Sequence, residues 1–418
     1  MFPAPAAAES AAHDGAPIAA RFADAQERAS LRDFDVVYFG NDWFAENRTS
    51  SHHVAAQLAR RTRVLYVDCP GLRAPKATGR DLRKLQRKLL MAASKPRQVA
   101  ERMWHITMPQ VPFRRLPAIA DINRATGRFL VRRAMKQLGF DRTVSWFAVP
   151  HPGILARTLD ETLAVYYCID DYAALPDVDA AAVTRMDTHL LRCADQVFVA
   201  SGLLLESKRN VNASAVHAPH GVDVELFRNA SDPRFAAADA VRDLPRPVIG
   251  FYGLIESWID LDLIAFLAQQ RPQWTFLMIG RLAVDPGHLR DLPNVVFAGA
   301  QPYESLPRWA KAFDVAIIPY RLTRQVVNSN PLKLREYLAT GKPVVAVSAP
   351  EIDRFSAHVR IAADSRQFLE HIEAALASDT PAQQQARMQS VADMSWDARI
   401  DDVVRIVEDR LTERALGR

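Results

Sequence analysis

The sequence predicts an α/β protein made of two doubly wound, parallel-sheet domains facing each other across a cleft. Three observations lead there. The chain has 418 residues, long for one core and suited to two domains of roughly 200 each. Apolar, β-branched runs recur along it with helical patterns between them, as expected of parallel strands covered on both faces. Residues 229–247 hold Asn, Asp, Pro and many Ala but no strand pattern, and read as the linker.

The elements follow in order. Residues 1–30 are rich in Ala with interspersed Asp and Glu. They lack the basic start and apolar core of a signal peptide and are expected to form a disordered lead-in. The first domain, 31–228, has strands predicted at Phe34–Gly40, Arg63–Asp68, Trp104–Met108, Thr143–Ala148, Leu163–Ile169, Gln196–Ala200 and Ala215–Ala218. The second, 248–394, has them at Val248–Gly253, Trp274–Gly280, Asn294–Ala298, Asp314–Tyr320, Pro343–Val347 and Val359–Ala362. In "GFYGLIESWIDLDLIAFL" a helix follows the glycine turn, with Ser257 placed to cap it. Residues 395–418 form a last helix. In such sheets ligands sit beyond the carboxyl ends of the strands, which places the site in the cleft before any motif is considered.

Composition narrows the function. Neither first strand ends in GxGxxG, which disfavours a dinucleotide-dependent dehydrogenase, and GxxxxGK[ST] is absent. Cys69, Cys168 and Cys193 have no metal spacing and suit a reducing, cytoplasmic setting. No apolar run is long enough to span a membrane. The net charge of +5 conceals a basic stretch: from Arg60 to Arg142, 21 Lys and Arg stand against 5 Asp and Glu. Its densest part, Arg73–Arg102, places Leu82, Leu85, Leu89 and Leu90 on one helical face amid Arg and Lys. Such a helix suits an anionic membrane surface; the alternative is a solvated helix packed on its own domain. Few aromatics and no recognisable module argue against nucleic acid.

Candidate residues gather at strand ends. "NSNPLKLREYLATGKPVV", residues 328–345, puts Ser329 and Asn330 before a helix, Lys333 in its first turn and Glu336 one turn on. Open amides and a cation suit a diphosphate, and a carboxylate beyond them suits ribose hydroxyls; an ordinary capped helix is the alternative. Gly253, Arg281, Tyr303 and Tyr320 lie on the same edge. In the first domain "FGNDWFAENRTSSHHVA" offers Asp42, Asn47, Arg48, His52 and His53 to the same cleft, where the resemblance drawn below makes them acceptor-binding, although a helix cap with a packed His would read the same. Asp170 and Asp171, after a buried strand, are placed to take a proton from a hydroxyl in the cleft, which the resemblance drawn below makes the acceptor's, or else to cap the next helix.

The order of motifs is similar to that of GT-B glycosyltransferases, in particular the family-4-like group of bacterial surface polysaccharide synthesis. "LRCADQVFVASGLLLESKR…HAPHGVDVELF", "IGFYGLIESWIDLDLI", "VVFAGAQPYESLPRWAKAFDVAIIPY", "NPLKLREYLATGKPVV" and "SWDARIDDVVRIVEDRL" carry the resemblance, over residues 34 to 411. It implies two Rossmann-like domains, a final helix crossing back to the first, and no metal or other cofactor. It also implies a UDP- or GDP-linked sugar, and the basic stretch then suggests a polyprenyl-diphosphate-linked glycan acceptor met peripherally at the inner face of the cytoplasmic membrane. Glu336 matches the second glutamate of the family's E-x7-E motif, and Asn328 stands where the first is expected. Glu256 and Trp258 replace an expected basic residue, leaving Lys333, then Arg281, for the phosphates. A UDP-sugar 2-epimerase and a non-catalytic GT-B scaffold are the rival expectations.

Overall fold

The computed structural model describes residues 28–69, 72, 95–109 and 117–417. Most of the lead-in and residues 73–94 of the basic stretch lie outside them. The thirteen expected strands are all present, and a fourteenth, exposed and polar, joins the edge of the first sheet.

The first sheet contains β1 (Asp35–Gly40), β2 (Val64–Asp68), β3 (Arg97–Ala100), β4 (Met103–Thr107), β5 (Thr143–Phe147), β6 (Leu163–Cys168), β7 (Gln196–Val199) and β8 (Ala215–His217). Their order is β3-β4-β2-β1-β5-β6-β7-β8, and only β3 runs antiparallel, against β4. This extra strand has no apolar alternation to reveal it, because it is a solvent-facing edge. The second sheet contains β9 (Val248–Tyr252), β10 (Thr275–Ile279), β11 (Val295–Gly299), β12 (Val315–Ile318), β13 (Val344–Val347) and β14 (Arg360–Ala362). Its order, β11-β10-β9-β12-β13-β14, is the 3-2-1-4-5-6 of a doubly wound nucleotide-binding sheet. Strand order reverses between β1 and β5 in one sheet and between β9 and β12 in the other.

Among the described residues, helices of eight residues or more are α1 (Ser50–Ala59), α2 (Pro117–Leu138), α3 (Ala180–Cys193), α4 (Gly202–Arg209), α5 (Leu261–Gln270), α6 (Leu332–Ala339), α7 (Ser365–Ser378), α8 (Pro381–Gln389) and α9 (Trp396–Ala415). Asp260, rather than Ser257, caps α5, its Oδ1 accepting from Leu263 N at 3.1 Å. An aspartate three residues before a free amide reaches it directly, whereas Ser257 lies too early in the turn.

Each sheet has its own apolar core. The last helix belongs to the first of them. Trp396, Ile400, Val403, Val404, Val407 and Leu411 are buried there at helical spacing. Arg61 holds Asp397 from the first domain at 3.1 Å, and Glu408 accepts from Leu31 N at 2.8 Å. The chain therefore crosses between domains twice, and the crossings touch where Val222 bridges Ser395. Among the described residues no helix is long and apolar enough to cross a membrane.

Candidate functional site

The second sheet places two loops at its reversal point. Past β9 stands Gly253 with φ 137°, and past β10 stands Gly280 with φ 142°. A Cβ at Gly280 would fall 1.9 Å from the Gly253 carbonyl oxygen, so the two backbones approach as only glycine permits. Lys333, from the first turn of α6, arches over this pair; a Cβ on Gly253 would sit 3.0 Å from its Cε. The Lys333 Nζ donates to the Tyr320 hydroxyl at 2.6 Å and lies over the rings of Phe251 and Tyr320 at 5.3 and 5.1 Å.

One turn further, Glu336 is buried, and burial pushes its carboxyl up to about 7. Lys333 and the hydroxyls of Tyr252 and Tyr303 counter part of that shift. Both hydroxyls are themselves buried and face the Glu336 carboxyl, although neither meets full hydrogen-bond geometry with a partner among the described residues. Pro331 opens α6 and no side chain caps it. A cation, a buried carboxyl with two tyrosine hydroxyls beside it, and open helix amides thus converge at the reversal point. Tyr252 and Gly280 are additions to the expected set. Tyr252 lay unnoticed inside a strand, and Gly280 was overshadowed by its neighbour Arg281.

Ser329 and Asn330 depart from expectation. Ser329 Oγ donates to its own turn, at Val326 O, 2.8 Å away. The buried Asn330 amide donates to Glu351 at 2.9 Å and accepts from Arg335 at 2.7 Å. Those bonds tie the buried Asn330 side chain to Glu351 and Arg335. Arg281 stays exposed, 3.9 Å from Glu46 across the cleft.

The first-domain edge holds its polar groups differently. His52 Nδ1 accepts from Thr49 N at 3.0 Å while its Nε2 donates to Asp42 O at 2.9 Å, so the ring staples the loop to the start of α1. Burial lowers its basicity and keeps it neutral. His53 stacks on Trp396 at 4.9 Å and meets Tyr303 edge-on at 4.9 Å. These two histidines pack the junction of the domains rather than face an acceptor. Asp42 accepts from Phe44 N at 3.1 Å within its own loop, and Asn47 is half-buried. Arg48 spans the cleft, 3.3 Å from Glu304 and 6.0 Å from the Tyr303 ring.

The acidic pair divides. Asp171 is buried and accepts on Oδ2 from Arg324 Nε and Asn328 Nδ2, both at 2.8 Å. A carboxylate so held is not a free base. Asp170 is half-buried, and burial pushes its carboxyl up to about 6; the Asp171 backbone amide and the Gln325 side chain counter part of this, and the charge of Asp171 is the smallest influence. Desolvation, and not the neighbouring charge, sets this value. Among the described residues no three His, Cys, Asp or Glu side chains are spaced to hold a metal ion.

Comparison with known proteins places this geometry. The chain superposes on sucrose-phosphate synthase from Thermosynechococcus elongatus with a TM-score of 0.65 at 14% identity, over 90% of this chain and 98% of that one. Anabaena Alr3699/HepE in complex with UDP and glucose gives 0.60 at 14%, over 88% and 99%. Residues 246–378 match the family described as glycosyl transferases group 1. The protein has the GT-B fold, and its second domain is a group 1 glycosyl transferase domain. The teichuronic acid biosynthesis glycosyltransferase TuaH of Bacillus subtilis (strain 168) is 27% identical over 230 residues, 51% of this chain. That match spans 57% of TuaH. A third GT-B relative in structure, from E. coli and bound with UDP-2-fluoro glucose, has a TM-score of 0.63 at 10% identity, over 90% and 99%.

Proposed function

We propose that the protein transfers a hexosyl or glucuronosyl group from a UDP- or GDP-sugar held by the second domain to a glycan held by the first. The convergence of Lys333, Tyr320 and Glu336 over Gly253 carries this reading. Lys333 and the α6 amides neutralise the diphosphate, and Glu336, with Tyr252 and Tyr303 beside it, takes the ribose hydroxyls. In the transfer, the acceptor oxygen bonds to the anomeric carbon as the carbon–phosphate-oxygen bond breaks. The nucleoside diphosphate leaves with the electron pair, and Asp170 takes the acceptor's proton. With that counter-charge supplied by the protein, the transfer needs no metal. Titrating UDP and GDP into Lys333→Ala and Glu336→Ala tests the site; each should bind at least about tenfold more weakly. Unchanged affinity in both would overturn it.

The acceptor in this proposal is a polyprenyl-diphosphate-linked glycan of exopolysaccharide or surface polysaccharide synthesis, met at the inner face of the cytoplasmic membrane. The TuaH likeness supports a surface polysaccharide. Besides Arg73–Arg102, the outer face of α2 supports membrane contact. Ile122 and Phe129, two turns apart, are 53% and 65% exposed. Arg124, Arg128, Arg133 and Lys136 are exposed beside them, with Asp121 bonded to Arg124 at 2.8 Å. Ile122→Ser with Phe129→Ser should markedly reduce sedimentation with phosphatidylglycerol vesicles; equal sedimentation would remove α2 from the membrane face. A 2-epimerase is separated by its product, which forms from nucleotide sugar without acceptor.

A further inference from the structure

Tyr320 and Lys333 bond each other at the two ends of one loop. The middle of that loop is gripped by the other domain. Asp171 accepts from Arg324 Nε and Asn328 Nδ2 at 2.8 Å each, and Arg324 Nη2 lies 3.5 Å from its Oδ1. Gln325 Nε2 reaches Asp170 at 3.4 Å. Ser201 Oγ, at the start of α4, donates to Asn328 O at 2.7 Å, and His220 Nδ1 donates to Asn330 O at 2.8 Å. Further along, Glu351 accepts from Gly202 N at 2.8 Å. Asp171, with a side chain only 4% exposed, forms the salt bridge of this set, to Arg324. Charge-assisted bonds to a buried carboxylate are short, strong and directional.

We propose that Asp171 is a positioning residue for the donor site. It fixes the turn 324–328, and through that turn the spacing of Tyr320, Lys333 and α6. The nucleoside-diphosphate site is then complete only while the first domain is in contact. This rests on the donor reading given above. Asp171 touches no reacting atom; it acts through Arg324 and Asn328. Asn328 acquires a reason as well. Its amide donates to Asp171, whereas a carboxylate there would put two acidic groups 2.8 Å apart.

The full chain is titrated with UDP and with GDP as Asp171→Asn, Asn328→Asp and the reciprocal pair Asp171→Asn/Asn328→Asp. Small-angle scattering and thermal melts are recorded beside the titrations. Each single change should weaken nucleotide binding about tenfold or more and expand the particle, since it removes a hydrogen bond to a charged group. The reciprocal pair restores one amide-to-carboxylate bond and should recover most of the affinity. A merely structural role would lower the melting temperature without that recovery. Arg324→Gln, on an exposed side chain, substitutes if Asp171→Asn fails to fold. Single variants with native affinity, or a pair no better than the worse single, overturn the proposal. Lys333→Ala separates the two levels. Its loss of binding beside intact Asp171→Asn rejects only the positioning role, and its intact binding rejects the donor site itself.

Discussion

The two edges of the cleft grow from the same strand topology and yet treat their polar groups in opposite ways. On the second domain, the hydroxyls of Tyr252 and Tyr303 crowd the buried Glu336 carboxyl without full hydrogen-bond geometry, and α6 begins without a side-chain cap. On the first, His52 is bonded at both ring nitrogens and Asp171 accepts from two side chains. Buried polar groups normally find partners, so a carboxyl and hydroxyls with incomplete bonds at a reversal point mark a surface shaped for something else; on the first edge His53 Nε2 is the exception, and its ring is taken up by stacking on Trp396. On the proposed reading, the second-domain edge is the donor site and is preorganised for a ligand, while the first-domain edge is mostly scaffold, with Asp170 and Arg48 left to meet substrate.

The largest break in this comparison should come from the glycine contact on the donor edge. Gly280→Ala introduces a Cβ 1.9 Å from the Gly253 carbonyl oxygen at φ 142°. Left-handed strain and overpacking each cost about 1–3 kcal/mol, so roughly 2–6 kcal/mol of stability should be lost. Urea denaturation reads this directly. A variant within 1 kcal/mol of the parent, on the order of measurement error plus relaxation, would mean that the two loops are free to separate.

Next in size is Glu336, where stability and binding should move in opposite directions with pH. Its carboxyl is raised from 4.5 to about 7 in the folded protein. A raised carboxyl favours the protonated form, so its contribution to stability is full below pH 4.5 and is lost as pH rises through 7. At about 1.36 kcal/mol per unit, the loss approaches about 3 kcal/mol. Glu336→Gln should therefore become the more stable protein above pH 7 without nucleotide. Nucleotide affinity of the parent should instead rise across the same window, because the ionised carboxylate is the better acceptor. Chemical denaturation and titration at pH 5, 6, 7 and 8 test both. Parallel rather than opposed trends would show that Glu336 carries structure alone.

How far these features could be read in advance depended on the range of the interaction. Strands such as Val36–Phe39 and Val315–Ile318 declare themselves because every residue is apolar and buried on both faces. Lys333 and Glu336 were legible because their relation is one helical turn. Asn328 was legible only as a departure from a motif; its partner Asp171 lies 157 positions away, and no local pattern encodes that pairing. The same holds for His53, whose spacing fitted an acceptor site and whose packing on Trp396 required the return of the last helix. β3 escaped because polar edge strands carry no alternation.

His53 offers the smallest effect and tests the acceptor edge as scaffold. The ring is buried, lies parallel to Trp396 within 5°, and its Nε2 has no partner among the described residues. Burial pushes its basicity down to about 3. Phenylalanine keeps the stacking and removes the unpaired nitrogen, so His53→Phe should change stability at pH 7.5 by less than about 1 kcal/mol. Transfer activity should likewise persist, since the ring touches Trp396 and Tyr303 rather than an acceptor. The sign of the pH effect follows from the depressed value. Stability from the neutral ring is full above pH 6.5 and declines as pH falls toward 3, because only the unfolded chain takes up the proton. The parent should therefore lose ground to His53→Phe on acidification, by about 2 kcal/mol at pH 5. If His53→Phe folds normally but transfers sugar a hundredfold more slowly, the imidazole serves the acceptor after all, and the contrast between the two edges collapses.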